Sequence, residues 1–188
     1  MRLVLHVVRI LVPVLLVVVV VGALASLFTA RPDLQRARRR VDTAWAAVAP
    51  QLGERYALLA TADKQVDTVP GPVHAITAEL DPALARWQAA VQGHADVGTQ
   101  VSVANTLEAL GRRLLATATA SPRVKGQSAV QQSLAAYAFG PRISGAADYN
   151  ATVAAYERQR RGPVRAVVAS LLGEGDIPAL DTTSTGSA

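Results

Sequence analysis

The chain of 188 residues contains no cysteine, and only 4% of its residues are aromatic. The absence of cysteine excludes disulfide bonds, thiol catalysis and zinc sites with thiolate ligands. Because 51% of the residues are nevertheless hydrophobic, the interior must consist mainly of Ala, Val and Leu, which favours close-packed helices. Strand-like alternation of polar and apolar residues is missing as well, so the sequence predicts an all-α protein.

Charge is absent from a run of 19 residues near the N-terminus, Ile10 to Phe28. As a helix this run would extend about 28 Å, close to the thickness of the hydrocarbon core of a bilayer. We therefore expect residues 1–30 to form a single-pass membrane anchor that contacts lipid through residues 10–28. The alternative is a cleaved signal peptide, with Arg2 and Arg9 as its basic region and Ala23-Leu24-Ala25 as the cleavage site.

Positive charge flanks both ends of this run, which makes its orientation harder to predict. Two arginines precede the run, whereas five follow it within residues 31–40. This count favours a body on the cytoplasmic side of the cell membrane. The cluster Arg38-Arg39-Arg40 is also compatible with a solvent-exposed helix face or with contacts to anionic lipid headgroups.

The rest of the chain is only slightly basic, because all 14 acidic residues and all but two of the 19 Lys and Arg follow the apolar run. No basic stripe interleaved with aromatic residues occurs, which argues against a nucleic-acid partner. Glycine-rich phosphate loops and the G-x-S-x-G nucleophile motif are missing from the sequence too. We therefore predict a protein that is not an enzyme, with no catalytic residues, no cofactor and no metal site.

Apolar residues recur every three or four positions along most of the chain, which is the spacing of helices that pack against one another. The longest such seam, of coiled-coil type, consists of Leu34, Ala37, Val41, Trp45, Val48, Leu52, Tyr56 and Leu59. Pro50 interrupts this seam, and because proline removes a backbone hydrogen bond we expect a kink there.

Further helices should follow, giving an antiparallel bundle of about four helices after the anchor. The proline-rich stretch 67–81 is interpreted as a connection, and Asp81-Pro82 as the cap and first residue of a helix that ends near Gln92. The next helix is predicted over residues 99–120.

A fourth helical region is predicted over residues 128–161, with a break at Gly140-Pro141. A last short helix should cover residues 164–172. Because Gly, Asp, Thr and Ser dominate the end of the chain, we predict a disordered polar tail over residues 174–188.

The ionisable residues give no clear sign of a reaction centre. His6, His74 and His94 each lack a second histidine at ligand spacing. Asp63 and Asp67 lie four residues apart, a spacing that is ordinary for surface carboxylates, and no base or nucleophile accompanies them.

Two other features also have a simple interpretation. Asn150-Ala151-Thr152 matches a glycosylation sequon, but it falls within a predicted helix. Trp45, Trp87 and the tyrosines are predicted to fill the core rather than to line a ligand site.

Three further segments of the chain form a recognisable series of motifs: AWAAVAPQLGER from Ala44, LGRRLL from Leu110 with SPRVK from Ser121, and YNATVAAY from Tyr149. They resemble, in the same order, motifs of the LemA family, bacterial proteins with an N-terminal membrane helix and a helical-bundle body. The resemblance implies a LemA-like helical bundle over residues 31–173 behind the anchor.

Two classes of function fit this sequence. The first is a non-catalytic interaction or scaffold module, tethered to the membrane, that binds other proteins of the bacterial cell envelope. The alternative is a small-ligand or signal-sensing bundle coupled to the membrane helix. Either class is compatible with an oligomer, and the sequence identifies neither the partner nor the ligand.

Overall fold

The computed structural model describes the backbone of residues 2–161, 170 and 175–181, and their side chains from residue 31 onward. Six helices and no strands occur in this part of the chain, which confirms the predicted all-α fold. The helices are α1 (Arg2–Val66), α2 (Pro72–Gln92), α3 (Val97–Ala120), α4 (Pro122–Lys125), α5 (Ser128–Ala138) and α6 (Ala146–Arg160). Apart from residue 170, which is helical, the predicted helix over 164–172 lies outside the described residues.

Helix α1 carries the predicted seam, and all eight of its predicted residues are buried. The helix continues through Pro50, which is exposed. The carbonyl that loses its hydrogen bond to this proline belongs to Ala46, which is exposed too and is therefore open to water. Hydration of an exposed carbonyl offsets part of the cost of the lost hydrogen bond.

The predicted membrane anchor gains no support from the structure. Among the residues whose side chains are described, no helix has the length and apolar character needed to cross a membrane. The run 10–28 has a helical backbone within α1, but its side chains lie outside that description. The anchor therefore stays a prediction.

Helix α2 begins earlier than predicted. It starts at Pro72, within the stretch 67–81 that was interpreted as a connection. Pro72 occupies the first turn, where proline is well tolerated, and Pro82 lies inside the helix. The predicted cap, Asp81, is therefore a residue of the helix interior. Burial of an apolar seam with helical spacing stabilises the helix enough to offset the cost of Pro82 in its interior. The buried residues of this seam are Val73, Ile76, Leu80, Ala83, Trp87 and Ala90.

The predicted third helix and the predicted break in the fourth helical region are both confirmed. Helix α3 starts two residues before the predicted position, because Asp96 caps it by accepting a hydrogen bond from the Thr99 backbone N–H at 3.1 Å. Helices α5 and α6 lie on either side of Gly140-Pro141. The single-turn helix α4 was not predicted.

The chain divides into two compact units. One comprises residues 1–40 and 155–175, and the other comprises residues 41–154 and 176–188. The first unit buries Leu34, Ala37 and Tyr156. The second unit contains most of the buried apolar side chains and all the sites described below.

The core of the second unit contains two aromatic pairs that join α1 to other helices. Trp45 packs against Tyr149 of α6 with ring centroids 5.2 Å apart. Tyr56 meets Trp87 of α2 edge to face at 5.0 Å. All four side chains are buried, which confirms the predicted core positions of both tryptophans.

Candidate peptide-binding groove

Residues 176–181 lie in the stretch predicted to be disordered, but Ile177 and Leu180 among them are buried within the second unit. Ile177 is 4% exposed and Leu180 is 2% exposed. Two apolar residues three positions apart are therefore withdrawn from water, and this burial opposes disorder. The remainder of the predicted tail, residues 182–188, lies outside the described residues.

Two asparagine side chains hold the backbone of this segment around Leu180. Asn150 of α6 donates from Nδ2 to the Leu180 carbonyl at 2.9 Å and accepts from the Leu180 N–H at 2.8 Å. Asn105 of α3 donates from Nδ2 to the Ala179 carbonyl at 2.9 Å and accepts from the Asp181 N–H at 2.8 Å.

These bonds have the geometry of strand pairing. In an extended chain, the N–H and C=O of one residue point to one side, and those of its neighbours point to the other side. Asn150 therefore pairs with the backbone N–H and C=O groups on one edge of the segment, and Asn105 pairs with those on the opposite edge. The segment lies between α3 and α6 with both edges paired.

Two further contacts flank the asparagines. The Tyr149 hydroxyl donates to the Pro178 carbonyl at 3.1 Å. An Arg112 Nη2 of α3 contacts the Asp181 carboxylate at 2.7 Å, and both side chains are about one-third exposed, at 37% and 36%. We call the surface formed by Asn105, Arg112, Tyr149 and Asn150 the tail groove.

The helices bring the groove residues together by simple spacing. Asn105 and Arg112 are seven residues apart on α3, two helical turns, and so lie on one face. Tyr149 is fixed by its contact with Trp45 in the core. Asn150 belongs to the predicted sequon, and its amide nitrogen, the atom that glycosylation would modify, is engaged by the Leu180 carbonyl.

Sequence reasoning missed this groove, although the sequence contains a signal. Asn105 and Asn150 are the only two asparagines among the 188 residues, and both hold the same segment. Their distance along the chain hides the relationship. The arrangement recognises an extended backbone, accepts apolar side chains at two positions and presents a cation to an acidic residue.

A buried ion pair lies elsewhere in the second unit. Arg55 Nε donates to Glu108 Oε1 at 2.9 Å, and the two side chains are 4% and 0% exposed. Arg55 also stacks on the Tyr137 ring, 4.5 Å from its centroid, and donates to the Tyr137 carbonyl at 3.3 Å. These contacts join α1, α3 and α5.

The electrostatics of this pair favour its charged form. Burial alone would lower the pKa of Arg55, but the hydrogen bond and the charge of Glu108 outweigh it, so this pKa lies above its usual value. Burial, reinforced by the charge of Glu108, raises the pKa of Tyr137 to about 12. The guanidinium of Arg55 therefore keeps its charge although it is buried, and its contacts with Glu108 and Tyr137 make it a structural element of the core.

The expectation that Asp63 is an ordinary surface carboxylate is wrong. Asp63 is 3% exposed, and its Oδ1 has no hydrogen-bond partner among the described residues. Burial, together with the charges of Asp81 and Asp67 and a hydrogen bond with Asp81, raises the pKa of Asp63 to about 7. A carboxyl group with this pKa changes its protonation near neutral pH.

The predicted histidine candidates do not form a site. His74 lies 2.8 Å from the exposed Asp67, and His94 is exposed and contacts the Gln92 carbonyl at 3.0 Å. The side chain of His6 lies outside the described residues. Among the residues that the structure describes, no group of His, Asp and Glu is arranged to hold a metal ion.

Comparison of the chain with protein-family models, with curated proteins and with solved structures finds no match. The resemblance to the LemA family therefore depends on the three sequence segments alone. Residues of two of these segments line the tail groove, namely Arg112, Tyr149 and Asn150.

Proposed function

We propose that this chain is a membrane-anchored interaction module of the LemA type, whose helical bundle binds an extended peptide segment of another cell-envelope protein. The observation that supports this function is the tail groove, in which Asn105 and Asn150 pair both edges of a docked segment. Backbone pairing supplies affinity that does not depend on the peptide's side chains, and the apolar positions supply selectivity.

The anchor in this proposal is the apolar run 10–28, and the five arginines that follow it favour a cytoplasmic body. Carbonate extraction of membranes and sequencing of the mature N-terminus test this part. Retention in the membrane fraction with residues 1–25 present is expected. A mature chain that starts at Ser26 would instead identify a cleaved signal peptide.

Peptide binding is tested with the full-length protein in detergent micelles, carrying a protease site between Arg161 and Gly175. After cleavage and removal of the released segment, the protein is applied to an array of peptides that represents bacterial membrane proteins. A subset of peptides should bind the wild-type groove and fail to bind the Asn105→Ala, Asn150→Ala double variant.

A matched control for this experiment is Gln132→Ala, because Gln132 is an exposed carboxamide on α5. This variant should bind the same peptides as the wild-type protein. If the double variant also keeps the wild-type pattern, the groove is not the binding surface, and the proposed function is wrong.

A signal-sensing function is a second candidate, and the surroundings of Asp63 favour it. A buried carboxyl group that titrates near pH 7 couples the proton concentration to the packing between α1 and α2. The two candidates differ in one measurement. Peptide binding that changes between pH 6 and pH 8 in the wild type, but not in Asp63→Asn, would favour the sensor.

A further inference from the structure

We infer that the segment Ile177–Asp181 competes with the partner's peptide for the tail groove. The partner's peptide should have the same pattern of residues as this segment, namely apolar, Pro, any residue, apolar, acidic. This inference rests on the proposed function, because it concerns the ligand and the regulation of the same groove. It identifies the partner by chemistry, as an extended segment of another protein.

The pattern follows from what each position of the docked segment contacts. Ile177 and Leu180 are buried, so positions one and four require apolar side chains. Ala179 is exposed, and the groove contacts its carbonyl group, so the third position is free to vary. Asp181 pairs with Arg112 at 2.7 Å, so an acidic residue is favoured at the fifth position.

Pro178 has a defined role at the second position. Its carbonyl accepts a hydrogen bond from Tyr149 at 3.1 Å, and its ring restricts φ to about −65°, within the extended range. A proline here loses less conformational entropy on docking than another residue would. Proline also has no N–H that would need a partner in the groove.

The covalent connection makes the docked segment an effective competitor. Fifteen residues, 162–176, separate Ile177 from Arg161, the residue that follows α6. Short connections of this kind give effective concentrations on the order of millimolar. A peptide supplied by another protein makes the same contacts but has to exceed this local concentration. The intact chain should therefore bind partners weakly until its own segment is displaced.

The test measures binding of a fluorescent peptide with the sequence GDIPALD to the full-length protein that carries the protease site. Cleavage alters no residue of the groove, and both samples keep residues 1–161 unchanged in sequence. The cleaved protein, freed of its own segment, should bind the probe at least about tenfold more tightly than the uncleaved protein. A second variant, Leu180→Asp in the uncleaved chain, should produce the same gain without proteolysis.

Changes in the probe test the pattern. Serine in place of the residue equivalent to Ile177 or Leu180 should reduce affinity by about tenfold or more, because a buried apolar contact is lost. Serine in place of the residue equivalent to Ala179 is the matched control, since this side chain is exposed. Its affinity should stay unchanged.

The outcomes separate this inference from the proposed function. Equal probe affinity before and after cleavage would overturn the inference, as would equal losses from the Leu180 and Ala179 changes. A concentration-dependent dimer formed by exchange of the segment would overturn the choice of another protein as partner.

If array peptides bind the cleaved protein but do not share the pattern, the inference fails and the proposed function stands. If the probe binds but no array peptide does, the proposed function fails.

Discussion

Glu108 and Asp63 are both buried carboxyl groups in the same unit, but their neighbours differ in charge. Glu108 accepts a hydrogen bond from Arg55 at 2.9 Å, whereas Asp63 faces the carboxyl groups of Asp81 and Asp67. Equal burial thus has opposite consequences. Glu108 has a cation as its partner, while burial and the neighbouring acids raise the pKa of Asp63 to about 7.

The two carboxyl groups also contribute to the free energy of unfolding in different ways. Removing one member of a buried ion pair strands the other charge, so the pair resists substitution even where forming it contributes little net free energy. A carboxyl group among like charges avoids this cost by staying protonated, and its contribution depends on pH. The predictions below probe this contrast, beginning with the largest effect.

Glu108→Ala should lower the free energy of unfolding by about 3 to 5 kcal/mol, because it leaves the Arg55 guanidinium buried without its counter-ion. Urea denaturation followed by circular dichroism measures the loss. The matched control is Glu79→Gln, which breaks an exposed pair with Arg113 and should leave the free energy of unfolding close to that of the wild-type protein. Comparable losses in the two variants would contradict the contrast between buried and exposed pairs.

Gly111→Ala should disturb the same ion pair through geometry instead of charge. A Cβ atom at Gly111 would overlap the Tyr137 hydroxyl, and the Tyr137 ring covers Arg55. Overpacking of this kind typically costs about 1 to 3 kcal/mol. Gly53→Ala is the matched control, because an added Cβ there meets no atom within 4 Å. If Gly111→Ala has the same stability as Gly53→Ala, the close contact with Tyr137 is not structurally important.

Sequence patterns predicted the apolar framework but not these polar groups. The seam of α1 was predictable because a helix that packs on one side repeats its apolar residues every three or four positions. Glu108 lies in the buried stripe of α3, four residues after Ala104 and three before Gly111, but the sequence analysis did not single it out. Its partner could not be predicted, because Arg55 is 53 residues away in sequence.

The start of α2 and the docked C-terminal segment were missed for different reasons. Proline-based rules placed the start of α2 at Asp81, whereas packing of Val73 and Ile76 extends the helix backward. Composition predicted a disordered tail over residues 174–188, but the two buried apolar residues and two distant asparagines determine the docking of residues 177–181. Local rules do not register such tertiary contacts.

Asp63 should make the protein less stable as the pH rises. Its pKa is raised from 3.8 to about 7 in the folded state, so between these values the folded protein binds more protons than the unfolded chain. The contribution of Asp63 to the free energy of unfolding should therefore fall by up to about 1.4 kcal/mol per pH unit in this window and level off above it. Asp63→Asn should flatten the dependence, as measured by urea denaturation from pH 4 to pH 8. Glu54→Gln, at an exposed position of α1, should retain the wild-type slope.

Asp81→Asn should have the smallest effect, because it changes only the surroundings of Asp63. Removing the Asp81 charge and replacing its carboxylate weakens two of the causes that raise the pKa of Asp63, while burial, the largest cause, remains. The pKa of Asp63 should therefore fall below its wild-type value of about 7 but stay above the ordinary value for aspartate. Carbon-detected NMR of the labelled aspartate carboxyl groups measures this shift directly. An unchanged pKa in Asp81→Asn would mean that burial and the charge of Asp67 are sufficient to raise the pKa of Asp63, and that Asp81 does not contribute to the contrast with Glu108.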